Sequence, residues 1–182
     1  MQIVVNNFHG DDLSWLPEGE VFVYDKKDKN VGSNIFDYMS WIVDNYDNLD
    51  DLVLFTKGNM LKRHITQGEW DKIKDSKTFT PILTQNHKTY LPVCWYEDGV
   101  YCEINDYWYL NEHPVKNDIL ALLKIEERLY NKFAPGACYI VPKENILKHS
   151  KEFYQKLRDS VDWDSAPGEA YLIERSLYHI WS

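Results

Sequence analysis

The chain has little of what marks several large classes of protein. It contains three cysteines in 182 residues, an odd number without the close spacing of a metal site, which favours a reducing cytoplasm over an oxidising compartment. No apolar run approaches the roughly 18 residues that span a bilayer, and the first residues lack the pattern of a signal peptide. We therefore expect a cytoplasmic protein without a membrane span.

Positive charge is scarce as well. Lys and Arg number 20 against 29 Asp and Glu, which gives a net charge of -9 and a pI near 5.1. A protein that binds along a nucleic-acid backbone needs clustered basic residues, so this balance opposes nucleic acid as a partner and leaves room only for a local basic pocket. The chain also lacks a Gly-rich phosphate loop and a Gly-x-Ser-x-Gly motif.

Large aromatic side chains, in contrast, are abundant. Aromatic residues make up 15% of the chain, with 7 Trp and 13 Tyr, and 44% of all residues are hydrophobic. Such rings suit a core and a hairpin, with sugar or base stacking as the alternative. The length and the absence of a linker predict one folded domain, residues 1–182.

Strand and helix patterns alternate in the first third of the chain. Apolar runs at 3–5, 21–24 and 52–55 predict three strands, and an apolar stripe between 35 and 46 predicts a helix capped by Ser33 or Asn34. Two strands joined by a helix form a right-handed crossover unit. The pattern predicts an α/β fold with a Rossmann-like, mostly parallel sheet flanked by helices.

The rest of the chain is expected to add a hairpin, another strand and helices. Two aromatic-rich runs around Asp98-Gly99 predict a β-hairpin insertion, across which Cys94 and Cys102 could face each other. Residues 137–141 predict a later strand. Helical spacing of apolar residues predicts helices over 67–75, from 117 or 118 to 130, over 153–161, and over 170–180.

Polar residues follow each early strand and form the first candidate site. Neighbouring parallel strands lie about 4.8 Å apart, so their carboxyl ends can converge on one pocket. Lysine there would offer positive charge to a diphosphate, and glycine would let backbone N–H groups approach it; the alternative is a set of solvated turns. The candidates are Asn6, Asn7, His9, Asp11 and Asp12, then Tyr24, Lys26, Asn30 and Gly32, then Lys57, Gly58 and Asn59.

The last predicted helix supplies a second set of candidates. Glu174 lies beside Tyr171 and Tyr178 on the helix surface and could act as a general base. Arg175 and His179 are four residues apart and share a face, so they could contact a diphosphate, and His179 could contact a metal. The alternative is a surface glutamate in a salt bridge.

Metal ligands are left unassigned. Asp162-Trp163-Asp164 has the Asp-x-Asp spacing with which nucleotide-sugar enzymes hold Mn²⁺ or Mg²⁺ on a diphosphate. It comes late in the chain and outside the strand ends, so we interpret it as an acidic loop. A divalent cation, Mn²⁺ or Mg²⁺, therefore stays possible, although no Asp-x-Asp motif follows a predicted strand to bind it.

Several of these segments resemble a family of domains of unknown function whose members look like small glycosyltransferases of the GT-A type. The resemblance covers both ends of the chain and not its middle. Its most specific part is Asp44-Asn45-Tyr46-Asp47-Asn48-Leu49. The other segments that carry it are Asp12 to Leu16, Asn30 to Gly58, Ala137 to Ile146, Phe153-Tyr154, and Glu174 to Trp181.

The resemblance implies a GT-A-like fold, a nucleotide-sugar donor, and a glycan or small-molecule acceptor. Two departures fall on the expected ligand face: Ser33-Asn34 stands where the family usually has Arg-Glu, and Thr56 to Asn59 lacks the usual Gln or His beside the glycine. Lys57 could then stabilise the leaving diphosphate as a metal does elsewhere. Two functions stay open, a glycosyltransferase and a non-catalytic nucleotide-, glycan- or protein-binding module on the same fold.

Overall fold

The computed structural model describes residues 1–27, 29–84, 94–105 and 108–182. Strands and helices alternate in its first third, as the hydrophobic pattern predicts. The strands are β1 (Gln2–Asn6), β2 (Glu20–Tyr24), β3 (Leu52–Lys57), β4 (Thr80–Pro81), β5 (Cys94–Glu97), β6 (Val100–Ile104), β7 (Tyr130–Phe133) and β8 (Tyr139–Pro142). The helices are α1 (Ser33–Asn45), α2 (Met60–Arg63), α3 (Gln67–Ile73), α4 (Lys143–Ile146), α5 (Lys151–Ser160) and α6 (Gly168–Trp181).

The main sheet has five strands in the order β2-β1-β3-β8-β4. β1 pairs in parallel with both β2 and β3, whereas β8 pairs antiparallel with both β3 and β4. The sheet is therefore mixed: the predicted α/β architecture is confirmed, and the predicted parallel pairing holds for β2, β1 and β3 but not for β8. β8 enters this sheet from β7 of the other sheet and lies between β3 and β4, opposite in direction to both.

Both faces of this sheet are covered. Val4 and Phe55 pack on one side with α1, α5 and α6, while Ile3 and Leu54 pack on the other with α2 and α3. Side chains of a strand alternate between faces, so strands buried on both sides are apolar throughout. Within the described ranges, none of the helices combines the length and apolarity that a bilayer crossing requires.

A second, antiparallel sheet has the order β5-β6-β7. The predicted hairpin is confirmed: Asp98 and Gly99 both have positive φ, at 52° and 77°, as its two-residue turn requires. The register places Cys94 opposite Glu103 and Cys102 opposite Trp95, so these cysteines do not face each other, and both are free.

Two further predictions about helices were wrong. Residues 117–129 form turns and a short 3₁₀ helix (Ile125–Glu127) instead of an α-helix, and Lys124 has a left-handed φ of 52° that a right-handed helix does not admit. The residue before α1 is Gly32, with a φ of 61°, and neither Ser33 nor Asn34 caps the helix through its side chain.

Candidate functional site

The carboxyl ends of β1, β2 and β3 meet at one edge of the sheet. Asn6 lies opposite Tyr24 on one side and Lys57 on the other. The chain leaves β1 toward β2, then crosses through α1 to β3 on the far side of β1, so the strand order reverses between β1 and β3. In open α/β sheets the crevice at such a reversal is where ligands bind.

A hollow of about 180 Å³ lies at this point of reversal, and we call it the switch-point hollow. Asn6 and the following residues Phe8, His9 and Asp11 form one wall, and Lys57, Asn59 and Arg63 form the other. Two of the predicted strand ends therefore contribute to one cavity. The cavity is smaller than the roughly 300–1,000 Å³ of sites that enclose a drug-sized ligand, and its size suits phosphate groups.

The switch-point hollow is a locally basic site on an acidic protein. Within the described ranges, neither Lys57 nor Arg63 forms an ion pair, whereas Asp11 is paired with Lys62. The side-chain oxygen of Asn59 is buried and accepts no hydrogen bond from the described residues. The hollow thus offers two cations and one polar acceptor to a ligand.

Two predicted residues, Asn7 and Gly58, pack closely together beside the switch-point hollow. The Asn7 side chain donates to the Asp11 carbonyl at 3.1 Å and accepts from the Asp11 N–H at 2.8 Å, which fixes the loop after β1. A Cβ added to Gly58 would lie 2.3 Å from the Asn7 side-chain oxygen. Glycine is needed at position 58 because Asn7 fills the space of a side chain.

Lys57 also lines a second hollow, of about 130 Å³, on the side of α6. Ser33 and Ile35 from α1, and Ala170, Tyr171 and Glu174 from α6, complete this α6 hollow. One carboxylate oxygen of Glu174 accepts a hydrogen bond from the Gly136 N–H at 2.6 Å. Lys57 and Glu174 were predicted from opposite ends of the sequence, and the fold brings them to one cavity.

Lys26 does not join this site, because its ammonium is held inside the protein. It lies 2.9 Å from a carboxylate oxygen of Asp37, which also accepts from Asn6, and it donates to the Val31 carbonyl at 2.5 Å. Burial raises the pKa of Asp37 to about 6 against the opposing effect of Lys26, and burial lowers the pKa of Lys26. These contacts join the ends of β1 and β2 to α1.

The other residues predicted after β2 lie apart from the switch-point hollow. Tyr24 and Lys26 line a lateral hollow of about 260 Å³, and burial together with Asp37 and Asp44 raises the pKa of Tyr24 to about 12. The Gly32 N–H donates to the Asp164 carbonyl at 2.7 Å and is therefore engaged. Asn30 is exposed and lines neither hollow.

Three more predicted residues serve local structure. The exposed carboxylate of Asp12 accepts from the N–H and hydroxyl of Ser14, which lowers the pKa of Asp12. Arg175 is buried and donates to both carboxylate oxygens of Glu103, at 2.9 and 3.4 Å, so it ties α6 to the second sheet. His179 accepts from the Lys132 N–H at 3.3 Å, away from both hollows.

The Asp-x-Asp segment does not fit a metal. Asp162 pairs with Lys29, and the Asp164 carboxylate accepts from the Ala166 N–H at 3.0 Å. Among the residues that the structure describes, no three His, Cys, Asp or Glu side chains are grouped as metal ligands.

Sequence reasoning missed two residues of the switch-point hollow. Phe8 was not among the candidates, and Arg63 lies beyond the candidate loop, which ended at Asn59. The signal for Arg63 is the short helix that begins directly after the strand-end glycine and ends in Lys62-Arg63, because helix α2 returns that arginine to the sheet edge.

The family model described as "Protein of unknown function (DUF3431)" matches residues 3–182. The chain belongs to this family. The match extends over the middle segments that the resemblance in the sequence did not cover, and the family's description assigns no activity. No curated protein and no solved structure matches the chain.

Proposed function

We propose that the chain is a GT-A-like glycosyltransferase that moves a sugar from a nucleoside-diphosphate sugar to an acceptor hydroxyl. The donor diphosphate would lie in the switch-point hollow. The observation that carries this proposal is the position of Lys57, which lines both hollows and has no ion-pair partner within the described ranges. The mixed sheet is compatible with such a fold, since an antiparallel strand beside parallel ones is common in α/β sheets.

Lys57 and Arg63 would bind the diphosphate and stabilise the charge that develops on it. As the bond between the anomeric carbon and the diphosphate oxygen breaks, negative charge accumulates on the leaving group, and a fixed ammonium lowers the barrier where water is partly excluded. The unpartnered Asn59 oxygen would accept from a donor hydroxyl. These groups reach the hollow from the last residue of β3 and from the residues that follow it.

Glu174 would act on the acceptor from the α6 hollow. In the reaction the acceptor oxygen forms a bond to the anomeric carbon while its proton passes to the carboxylate, and the diphosphate leaves with its electron pair. The Gly136 N–H, which donates to one oxygen of Glu174, fixes the side chain and leaves the second oxygen for the acceptor. Tyr171, whose ring stacks on His113, belongs to the same wall.

A panel of uridine and guanosine diphosphate sugars, each with and without Mn²⁺, tests the proposal through release of the nucleoside diphosphate. Lys57→Ala should lower the rate by about 100-fold, as the loss of one charge-stabilising donor does elsewhere. Lys72→Ala, a change at an exposed lysine of α3 on the other face of the sheet, is the matched control. A rate unaffected by Lys57→Ala, or no binding of any donor, would refute the proposal.

A second candidate function is a non-catalytic module that binds a nucleotide, a glycan or a protein. One observation favours it, since Glu174 is already engaged with Gly136, and the resemblance noted in the sequence agrees, since it implies Arg-Glu where this chain has Ser33-Asn34. This function predicts that a donor binds, that Lys57→Ala weakens its binding, and that no diphosphate is released. Calorimetric titration beside the release assay separates the two functions.

A further inference from the structure

Asn6 lies between the buried ion pair of Lys26 and Asp37 and the switch-point hollow. It is the last residue of β1, and the β1–β3 register places it opposite Lys57, so both side chains leave the sheet on the same face. Asn6 is only 3% exposed, yet it lines the hollow. The side chain is therefore fixed within the protein, and a ligand can reach it only through the hollow.

The amide of Asn6 has a fixed orientation. Its nitrogen donates to one carboxylate oxygen of Asp37, and the Lys26 ammonium lies 2.9 Å from the other. An ionised carboxylate accepts hydrogen bonds and donates none, so only the nitrogen of the Asn6 amide can face Asp37. The amide oxygen then points away from Asp37.

The oxygen of the Asn6 amide is available to a ligand. Among the described residues, no group donates a hydrogen bond to it, and it is not enclosed by protein atoms. Because Asn6 lines the switch-point hollow, this oxygen faces the hollow on the side of Lys57. An amide oxygen accepts from hydroxyl and N–H groups, and a phosphate dianion has no proton to donate to it.

We propose that Asn6 is a specificity-determining residue, which selects a phosphate ester with a hydroxyl group close to the phosphate, and that Asp37 is its positioning residue. Lys57 and Arg63 bind the phosphate, as in the proposed function on which this inference rests, and the Asn6 oxygen accepts from the hydroxyl. In a nucleoside-diphosphate sugar, the hydroxyl on the carbon next to the anomeric carbon has this relation to the phosphate. The inference therefore names a sugar that carries this hydroxyl and excludes its deoxy analogue.

Two phosphate esters of similar size, glycerol 3-phosphate and propyl phosphate, test the selection without any transfer reaction. At pH 8 both are dianions and Asp37, with a pKa of about 6, is ionised, but only the first ester carries hydroxyls. In calorimetric titration the natural protein should bind glycerol 3-phosphate about fivefold more tightly, the effect of one hydrogen bond. Equal affinities would overturn this inference and leave the phosphate site. Binding of neither ester would remove both the inference and the phosphate site of the proposed function.

Asp37→Asn tests the orientation of the Asn6 amide. In this variant the Lys26 ammonium retains the oxygen of the new side chain, whose nitrogen then donates to the Asn6 oxygen and turns the Asn6 nitrogen toward the hollow. The ratio of the two affinities should fall from about 5 to about 1, while propyl phosphate binds no more weakly than before. A purely structural role for Asp37 would weaken both esters alike and leave the ratio unchanged, and that result would refute the assignment.

Asn6→Leu keeps the size of the side chain and removes its oxygen, so the inference stays testable if Asp37→Asn folds poorly. This variant should bind the two esters about equally. Lys29→Met is the control, because Lys29 pairs with Asp162 and does not line the hollow, and it should keep the fivefold preference. A preference that persists in Asn6→Leu, or that is lost in Lys29→Met, would overturn the role of Asn6.

Discussion

The buried contact between Lys26 and Asp37 gives the sharpest prediction about stability. Their side chains are only 4% and 5% exposed. Lys26→Met leaves the Asp37 carboxylate in the interior with Asn6 as its remaining partner, and breaking a buried pair in this way costs about 3–5 kcal/mol. Urea denaturation at pH 7.5 should show a loss of this size in the free energy of unfolding.

Lys29 provides a matched control for this change. Its ammonium also lies over the Phe36 ring, at 4.7 Å, but Lys29 and its partner Asp162 are 51% and 35% exposed. Lys29→Met should therefore cost at most about 1 kcal/mol. The double variant Lys26→Met/Asp37→Leu should be more stable than Lys26→Met, because it removes the uncompensated charge. Equal losses for Lys26→Met and Lys29→Met would refute the argument from burial.

The same pair predicts a dependence on pH. The pKa of Asp37 is raised from 3.8 to about 6, so the folded protein binds this proton more tightly than the unfolded chain. The resulting stabilisation is complete below pH 3.8 and is lost as the pH rises through 6. Relative to Asp37→Asn, which cannot titrate there, the natural protein should gain up to about 3 kcal/mol between pH 7 and pH 4. A difference that does not vary with pH would contradict the shift.

Three further changes test other parts of the fold by the same urea assay. Arg175→Met should cost about 3–5 kcal/mol, because it strands the buried Glu103 carboxylate; loss below about 1 kcal/mol would mean that the pair contributes little. Gly58→Ala should cost about 1–3 kcal/mol through collision with the Asn7 side chain, and Asn7→Ala should relieve part of that cost in the double variant. Thr66→Ala should cost about 1 kcal/mol by removing the capping box of α3, with Thr78→Ala as an exposed control.

The sequence predicts the first half of the fold well because its signals are local. Alternation and helical spacing are properties of short windows, and β1, β2, α1 and β3 all appear where the pattern places them. Pairing direction is not local. Tyr139–Pro142 reads as a buried strand in either orientation, and only its approach from the second sheet makes it antiparallel.

The predicted helix at 117–130 failed for a related reason. Ile119, Leu123 and Ile125 are buried, as the helical pattern requires, but they reach the core from turns. The end of the segment, Tyr130–Phe133, instead alternates between half-buried and buried residues and pairs with β6. Pairing with β6 in the folded protein thus outweighed the helical spacing of the apolar residues in this segment.

The candidate site shows the same division between local and distant information. Lys26 and Lys57 both follow parallel strands that flank β1, so their sequence contexts predict the same role. Lys26 has a φ of 61°, and an acid on the facing helix, Asp37, binds its ammonium. Lys57 meets no such acid within the described ranges and lies between the switch-point hollow and the α6 hollow. The difference between a lysine held in a buried ion pair and one that lines two cavities is therefore set by the side chains that the helices bring to each strand end, and these are known only once the helices have packed.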